Sequence, residues 1–196
     1  MGFGVKELAA LYELFGVLLT SFALNMIPFA GPSNLLIASN AALLVEADPF
    51  TIGFLVALGA ACSKLVHYFV TFFIGGFMGQ KRREHLNTVA SKLKGWASLA
   101  LFVVAATPLP DEPVVIPLGL LKYNPVKFFL AYFAGKFVIT SLGAYLGMLG
   151  HGILVPFISN EVLTAASVIL TVILTVVLLK VDVVKMIERI MRRRTG

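Results

Sequence analysis

Lys64, Asp111, Glu112 and Lys136 are the residues of this chain best placed to do chemistry, because each is embedded in a long apolar run. Two ammonium groups and two carboxylates in such settings can bind an anion, carry a proton, or neutralise one another. A charged side chain at the centre of a membrane helix costs roughly 2.5–3.5 kcal/mol, so four unpaired ones would cost on the order of 10 kcal/mol. The balance of two cations and two anions therefore predicts a mutually satisfied cluster. His67 and Thr71 follow Lys64 at i+3 and i+7 on one helix face, and Thr140 follows Lys136 at i+4. Asn25, Ser33, Asn34 and Asn40 add polar atoms to the first apolar stretch, either as caps of broken helix ends or as pathway lining. Two rival readings of the charges stand beside each other, a polar path for a substrate and a structural ion-pair lock.

Composition places these residues in a membrane protein. The 196-residue chain is 59% hydrophobic and 13% charged, with a mean hydropathy of +0.93, whereas a soluble domain carries about 25% charge. A net charge of +6 does not mark a nucleic-acid surface here, because the basic residues sit at the ends of apolar runs. Five of the 16 Lys and Arg lie in residues 79–94 and six in residues 180–196, the distribution expected of cytoplasmic segments. No cleavable signal pattern is expected, and the single Cys62 cannot form an internal disulfide. Zincin spacing, a phosphate loop and a serine elbow are all absent from the sequence. No enzymatic activity, cofactor or metal is expected.

The elements that must position the charges follow from length and punctuation. Residues 50–77, 125–150 and 162–179 are each long and apolar enough to span about 30 Å of hydrocarbon. Two other stretches do not fit as single spans. Residues 14–45 are uncharged but broken by "PFAGPS", with Pro28, Gly31 and Pro32. Residues 95–121 are broken by "ATPLPDEPVVIPLG" at 106–119, with Pro108, Pro110 and Pro113 around the two carboxylates. Proline lacks the N–H that a helix interior needs and biases its predecessor away from helix. Broken backbone at membrane depth is tolerated only where protein or water covers it. Both stretches therefore read as re-entrant hairpins.

Pro28 and Pro108 are 80 residues apart, Pro49 and Pro125 are 76 apart, and Gly59 and Gly135 are also 76 apart. Each half is a hairpin, a proline and a span whose mid-helix glycine, Gly59 or Gly135, permits close packing. The expected fold is an all-α polytopic membrane protein with three transmembrane helices. Two oppositely entering re-entrant hairpins form an inverted repeat, and the placement of an N-terminal helix is left open. Its single domain, 1–196, divides into repeat 1 (about 14–78), a basic loop (79–94), repeat 2 (about 95–152), a C-terminal transmembrane helix (161–181) and a basic tail (182–196).

"GPSNLLIASNAALL", "GAACSKLVHYFVTFFIGGFMG" and "TPLPDEPVVIPLGLLKYNPVKFFLAYFAGKFVITSLGAYLGMLG" together resemble the DedA, or VTT-domain, membrane proteins over roughly residues 20–152. The resemblance implies two opposed re-entrant loops and lipid movement, of polyprenyl-phosphate carriers or phospholipids. The family's hairpin glutamate falls on Asn34, its span aspartate on Lys64, and its two second-hairpin arginines near Ala105 and Asp111. The signs are exchanged, which preserves a Lys64–Asp111 pairing, and swapping the two residues would restore the family's arrangement. The expected function is translocation of an amphipathic substrate, a lipid, through a polar groove between the hairpins. The alternatives are a small-solute or drug exporter and a non-transporting structural or assembly protein. Membrane lipids are the expected partners and the cell membrane the expected location. Nucleic acid is excluded, while proton coupling, homo-oligomerisation, substrate identity and direction are left open.

The charge distribution predicts that residues 79–94 and the C-terminal tail are cytoplasmic, with 151–160 outside. Single cysteines at Gln80, Ser159 and Thr195 on a Cys62→Ala background test this with an impermeant thiol reagent. From outside intact cells, only position 159 should label; labelling at 195 would overturn the arrangement.

Overall fold

The computed structural model describes residues 5–28, 32–77, 96–108 and 110–154, together with 162, 169 and 173. The basic loop, the tail, Gly31, Leu109 and most of the expected third span lie outside the described residues. Six helices and no strand occur among those described: α1 (Val5–Asn25), α2 (Asn34–Leu44), α3 (Pro49–Gly76), α4 (Ala97–Ala105), α5 (Glu112–Leu120) and α6 (Pro125–Leu154). The described residues are thus all-helical, as expected.

α3 and α6 are the two long helices, 28 and 30 residues, or about 42 and 45 Å at 1.5 Å per residue. Both start on the same local chemistry. The Asp48 side chain accepts a hydrogen bond from the Thr51 N–H at 3.1 Å and Pro49 follows. The Asn124 side chain accepts from the Lys127 N–H at 3.0 Å and Pro125 follows. Each cap satisfies a free N–H of the first turn, and proline at the first helical position forfeits nothing. Residues Pro49–Gly75 and Pro125–Gly150 have the length and composition to cross a membrane. Their outward faces are large and apolar, with Phe54, Phe73, Leu130, Val138 and Leu142 all exposed. Contiguous apolar surface of this kind is at home in lipid rather than water.

α4 and α5 are nine residues each, about 14 Å long and too short to cross alone. The break between them follows from the prolines and from Thr107, whose hydroxyl donates to the Val104 carbonyl at 2.7 Å as α4 ends. α5 closes with Lys122 in the left-handed region, φ 52°, its N–H bonded to the Gly119 carbonyl at 2.9 Å. The Tyr123 N–H reaches the Leu118 carbonyl at 3.0 Å, completing a Schellman-type end.

The first half contains the N-terminal helix whose placement the sequence leaves open. Residues 5–25 form one 21-residue helix, about 31 Å long, so the first arm begins well before residue 14. Glu13 does not end it, because an exposed glutamate suits a helix surface. The second arm, α2, is 11 residues.

The arms cross over between the halves. α1 packs on α3 and α4 on α6, each first arm on its own half's long helix. α2 packs on α6 and α5 on α3, each second arm on the other half's. Glycine makes these approaches close enough. A Cβ on Gly59 would lie 2.5 Å from the Leu18 carbonyl oxygen of α1. One on Gly135 would lie 2.8 Å from the Ala105 Cβ at the end of α4. Gly143 meets Leu35 of α2, and a Cβ on Gly119 of α5 would lie 2.7 Å from the Tyr68 carbonyl oxygen. Two hydroxyl–carbonyl bonds tie helices together, Ser21 donating to Val56 and Thr140 to Gly53, both at 2.7 Å.

Gly135→Leu should therefore destabilise the protein by about 1–3 kcal/mol or more, because the side chain has no room against α4. Gly150→Ala, where a Cβ meets nothing within 4 Å, should instead stabilise by up to about 1 kcal/mol through helix propensity. Thermal unfolding of both variants in detergent checks the pair; equal effects would mean that Gly135 does not set the α4–α6 distance.

Candidate functional site

Lys64 projects from the middle of α3, Lys136 from α6, and the two carboxylates from the start of α5. Asp111 is the N-cap and Glu112 the first residue of α5, so the proline break places them at a helix end, free of a continuous helix's side-chain spacing. The structure brings all four together. Lys64 Nζ lies 2.6 Å from Glu112 Oε1 and 3.3 Å from Asp111 Oδ1, and Lys136 Nζ lies 2.9 Å from Asp111 Oδ2. The order is Lys136, Asp111, Lys64, Glu112, with alternating sign and zero net charge. Exposure is 3% for each lysine, 4% for Asp111 and 5% for Glu112. Water therefore solvates none of them appreciably, and each relies on its partners.

Asp111 is the shared member. It receives both ammonium groups and also the hydroxyl of Tyr132, which donates to Oδ2. Tyr132 lies one turn before Lys136 on α6, and the Lys136 ammonium sits 5.2 Å from its ring centroid. Sequence reasoning did not single out Tyr132. The signal was its i−4 spacing from Lys136, which puts both on one helix face. Tyr132 stacks in turn on Phe128 at 6.0 Å, and Phe128 packs 4.7 Å from Tyr68. Tyr68, one turn after Lys64, donates its hydroxyl to the Tyr123 carbonyl, bracing α3 against the α5–α6 connection.

Asn34 and His67 occupy a neighbouring polar region at the end of α1. Asn34 and Asn25 exchange two amide hydrogen bonds of 2.9 Å each, and the Asn25 amide also donates to the Ser21 carbonyl at 2.8 Å. His67 Nε2 is 3.1 Å from the Met26 carbonyl oxygen. These bonds close the C-terminal end of α1 against α2 and α3. Thr71 bonds back to the His67 and Tyr68 carbonyls, the local self-satisfaction expected of a hydroxyl in an apolar helix. Of the proposed turn residues, Pro28, Pro108 and Pro113 are exposed, and Pro32 and Pro110 are half-buried.

A cleft of about 430 Å³ runs between α1 and α2, lined by Val17, Leu24, Ile37, Ala41 and Leu44 with Glu13, Thr20 and Asn40. None of the four clustered charges lines it. The four charges are buried and lie apart from this cleft. Among the described residues no group of His, Cys, Asp and Glu could hold a metal ion.

Shared pairing changes what substitution should do. Asp111→Ala strands the buried Lys136 ammonium and takes one of two carboxylates from Lys64, and should cost about 3–5 kcal/mol or abolish folding, more than Glu112→Ala. Exchanging Lys64 and Asp111 should not rescue either single change, because a lysine at 111 would then face Lys136. A double-mutant cycle of Lys136→Met with Asp111→Leu, read by thermal unfolding in detergent, should show a coupling of about 0.5–3 kcal/mol. Additive losses would mean the two do not interact.

No curated protein and no solved structure matches the chain. The model of the VTT domain does, over residues 27–149, a region that contains the whole ion cluster and runs from the end of α1 through most of α6. Charges within an apolar helical scaffold, short helices broken at prolines and this match lead to one conclusion: the chain belongs to the VTT-domain family of DedA and SNARE-associated Golgi-type membrane proteins.

Proposed function

We propose that this protein moves lipid across the membrane, passing the headgroup through the region of the Lys64, Asp111, Glu112 and Lys136 cluster while the tails stay in hydrocarbon. The observation that carries this reading is four buried charges, balanced and shared, at the meeting of the broken segment 106–111 with both long helices. Charged groups inside membrane segments are expensive and commonly mark a substrate or ion path. The short helices α4 and α5 support a re-entrant hairpin in the second half, and the crossed packing of α2 on α6 and α5 on α3 supports an inverted repeat, the scheme of many transporters.

Headgroup passage on this reading is ion-pair exchange. The lysines accept a phosphate as they release a carboxylate, and the carboxylates return when the headgroup leaves. Nothing in the scheme requires covalent chemistry, so the protein acts as a transporter rather than an enzyme. The cell membrane, with a cytoplasmic C-terminus, remains the proposed location.

The burial of all four charges favours a second reading, in which they lock α5 to α3 and α6 and do nothing else. Reconstitution into liposomes separates the two. Phospholipid carrying an acyl-chain fluorophore is placed in both leaflets, and an impermeant reductant is added outside. Protein-dependent bleaching beyond half of the signal is the expected result. A fully neutral variant, Lys64→Met, Asp111→Leu, Glu112→Gln and Lys136→Met, should fold yet lose that movement. Retained movement in this variant would favour the lock over the path.

A further inference from the structure

α1 and α2 follow one another in the chain yet touch little, because α1 rests on α3 and α2 mainly on α6. The cleft of about 430 Å³ between them has a floor of core residues, Val17 and Ile37, which pack with Ile52, Val56 and Ala144. Gly16 and Ala41 keep its walls low. Gly59, Gly119, Gly135 and Gly143 each lie where a Cβ would meet another helix, but a Cβ on Gly16 would meet nothing within 4 Å. Glycine inside a helix weakens it, and at position 16 no close helix approach offsets that. What the missing side chain leaves is room in the cleft. Its volume and its mostly apolar lining with a few polar groups are those of a small-molecule site.

Apolar volume alone selects no ligand in a membrane, since lipid tails are as apolar as the walls. Selection has to come from charge. Among the described residues that line the cleft, Glu13 alone is charged, and residues 7–63 contain no Lys or Arg. Glu13 stands at one end of the α1 wall, which runs on to Leu24, about 16 Å away along the helix. The α2 wall ends at Val45, and the exposed Glu46 follows it. We propose that this cleft binds an amphipathic cation, an ammonium group on one straight apolar chain. The ammonium sits at Glu13 and the chain lies along Val17, Ile37 and Leu24. A sulfate or phosphate at the same end faces a carboxylate of its own sign and is repelled. None of Lys64, Asp111, Glu112 and Lys136 lines the cleft, so the site stands whether or not the protein moves lipid.

The test uses the full chain in phosphatidylcholine liposomes with a dodecyltrimethylammonium probe that carries a diazirine on its chain. After illumination, labelled peptides are mapped by mass spectrometry. Labelling per residue over 13–45 is divided by labelling per residue over 125–150, which cancels partition of the probe into the bilayer. The ratio should exceed one in wild type. It should fall when unlabelled dodecyltrimethylammonium is added and hold when dodecyl sulfate or dodecylphosphocholine is added. Glu13→Gln should lower it about threefold, the scale of a solvent-exposed ion pair. Gly16→Leu fills the cleft and should bring the ratio to one. Ala41→Leu should do the same from the opposite wall if Gly16→Leu does not fold. A wild-type ratio of one, or a ratio that neither filling variant lowers, overturns the site. Equal competition by dodecyl sulfate or dodecylphosphocholine, or an unchanged ratio in Glu13→Gln, overturns the assignment to a cation.

Discussion

Asp111 held between two ammonium groups is the interaction on which the rest of the arrangement depends. Its two oxygens are shared between α3 and α6, through Lys64 and Lys136, and its backbone caps α5. Removing one partner from a buried pair leaves a charge that the surroundings cannot solvate, which is far more costly than never having placed the pair there. Three helices must therefore stay in register around one carboxylate. The proline break is part of the same constraint. Asp111 and Glu112 are consecutive, and in a continuous helix consecutive side chains diverge by about 100°. At a helix end, with Pro110 before and Pro113 after, both reach the one ammonium of Lys64.

Around this centre the helices are held close by small residues rather than by a thick apolar core. Gly59, Gly119, Gly135 and Gly143 each sit where a Cβ would overlap a neighbouring helix. In lipid there is little hydrophobic gain from bringing helices together, so close backbone approach and interhelical hydrogen bonds supply the attraction. The Ser21–Val56 and Thr140–Gly53 bonds are of this kind. The crossing of the second arms, α2 onto α6 and α5 onto α3, joins the halves. It also brings the carboxylates of the second half to the lysine of the first.

Charge placement along the chain sets which elements the ion pairs join. A lysine stands on the first long helix, carboxylates stand on the broken segment, and a further lysine stands on the second long helix. The ion pairs that result alternate in sign and are buried. On the proposed reading, buried ion pairs stabilise the resting protein without fixing it permanently, because each link is exchanged for an equivalent one offered by a charged headgroup. The same groups can thus serve packing and passage, and the structural and transport readings differ in whether the links open.

Much of the scaffold was legible in the residues themselves. Apolar length and the Asp48–Pro49 and Asn124–Pro125 starts identify α3 and α6, since a cap and a first-turn proline act locally. The break at 106–111 follows from proline stereochemistry, and the need for the four charges to meet follows from their cost in an apolar setting. The start of the first arm was not legible, because nothing local distinguishes a helix beginning at Val5 from one beginning ten residues later. Nor was the pairing. Spacing within a helix determines which residues share its face, which would have placed Tyr132 beside Lys136. It does not determine how one helix is rotated against another. Only the packing of α5 on α3, with its start reaching α6, decided that Asp111 takes both lysines while Glu112 binds Lys64. That choice rests on how close glycines such as Gly59, Gly119 and Gly135 let other helices approach, and so belongs to the tertiary structure.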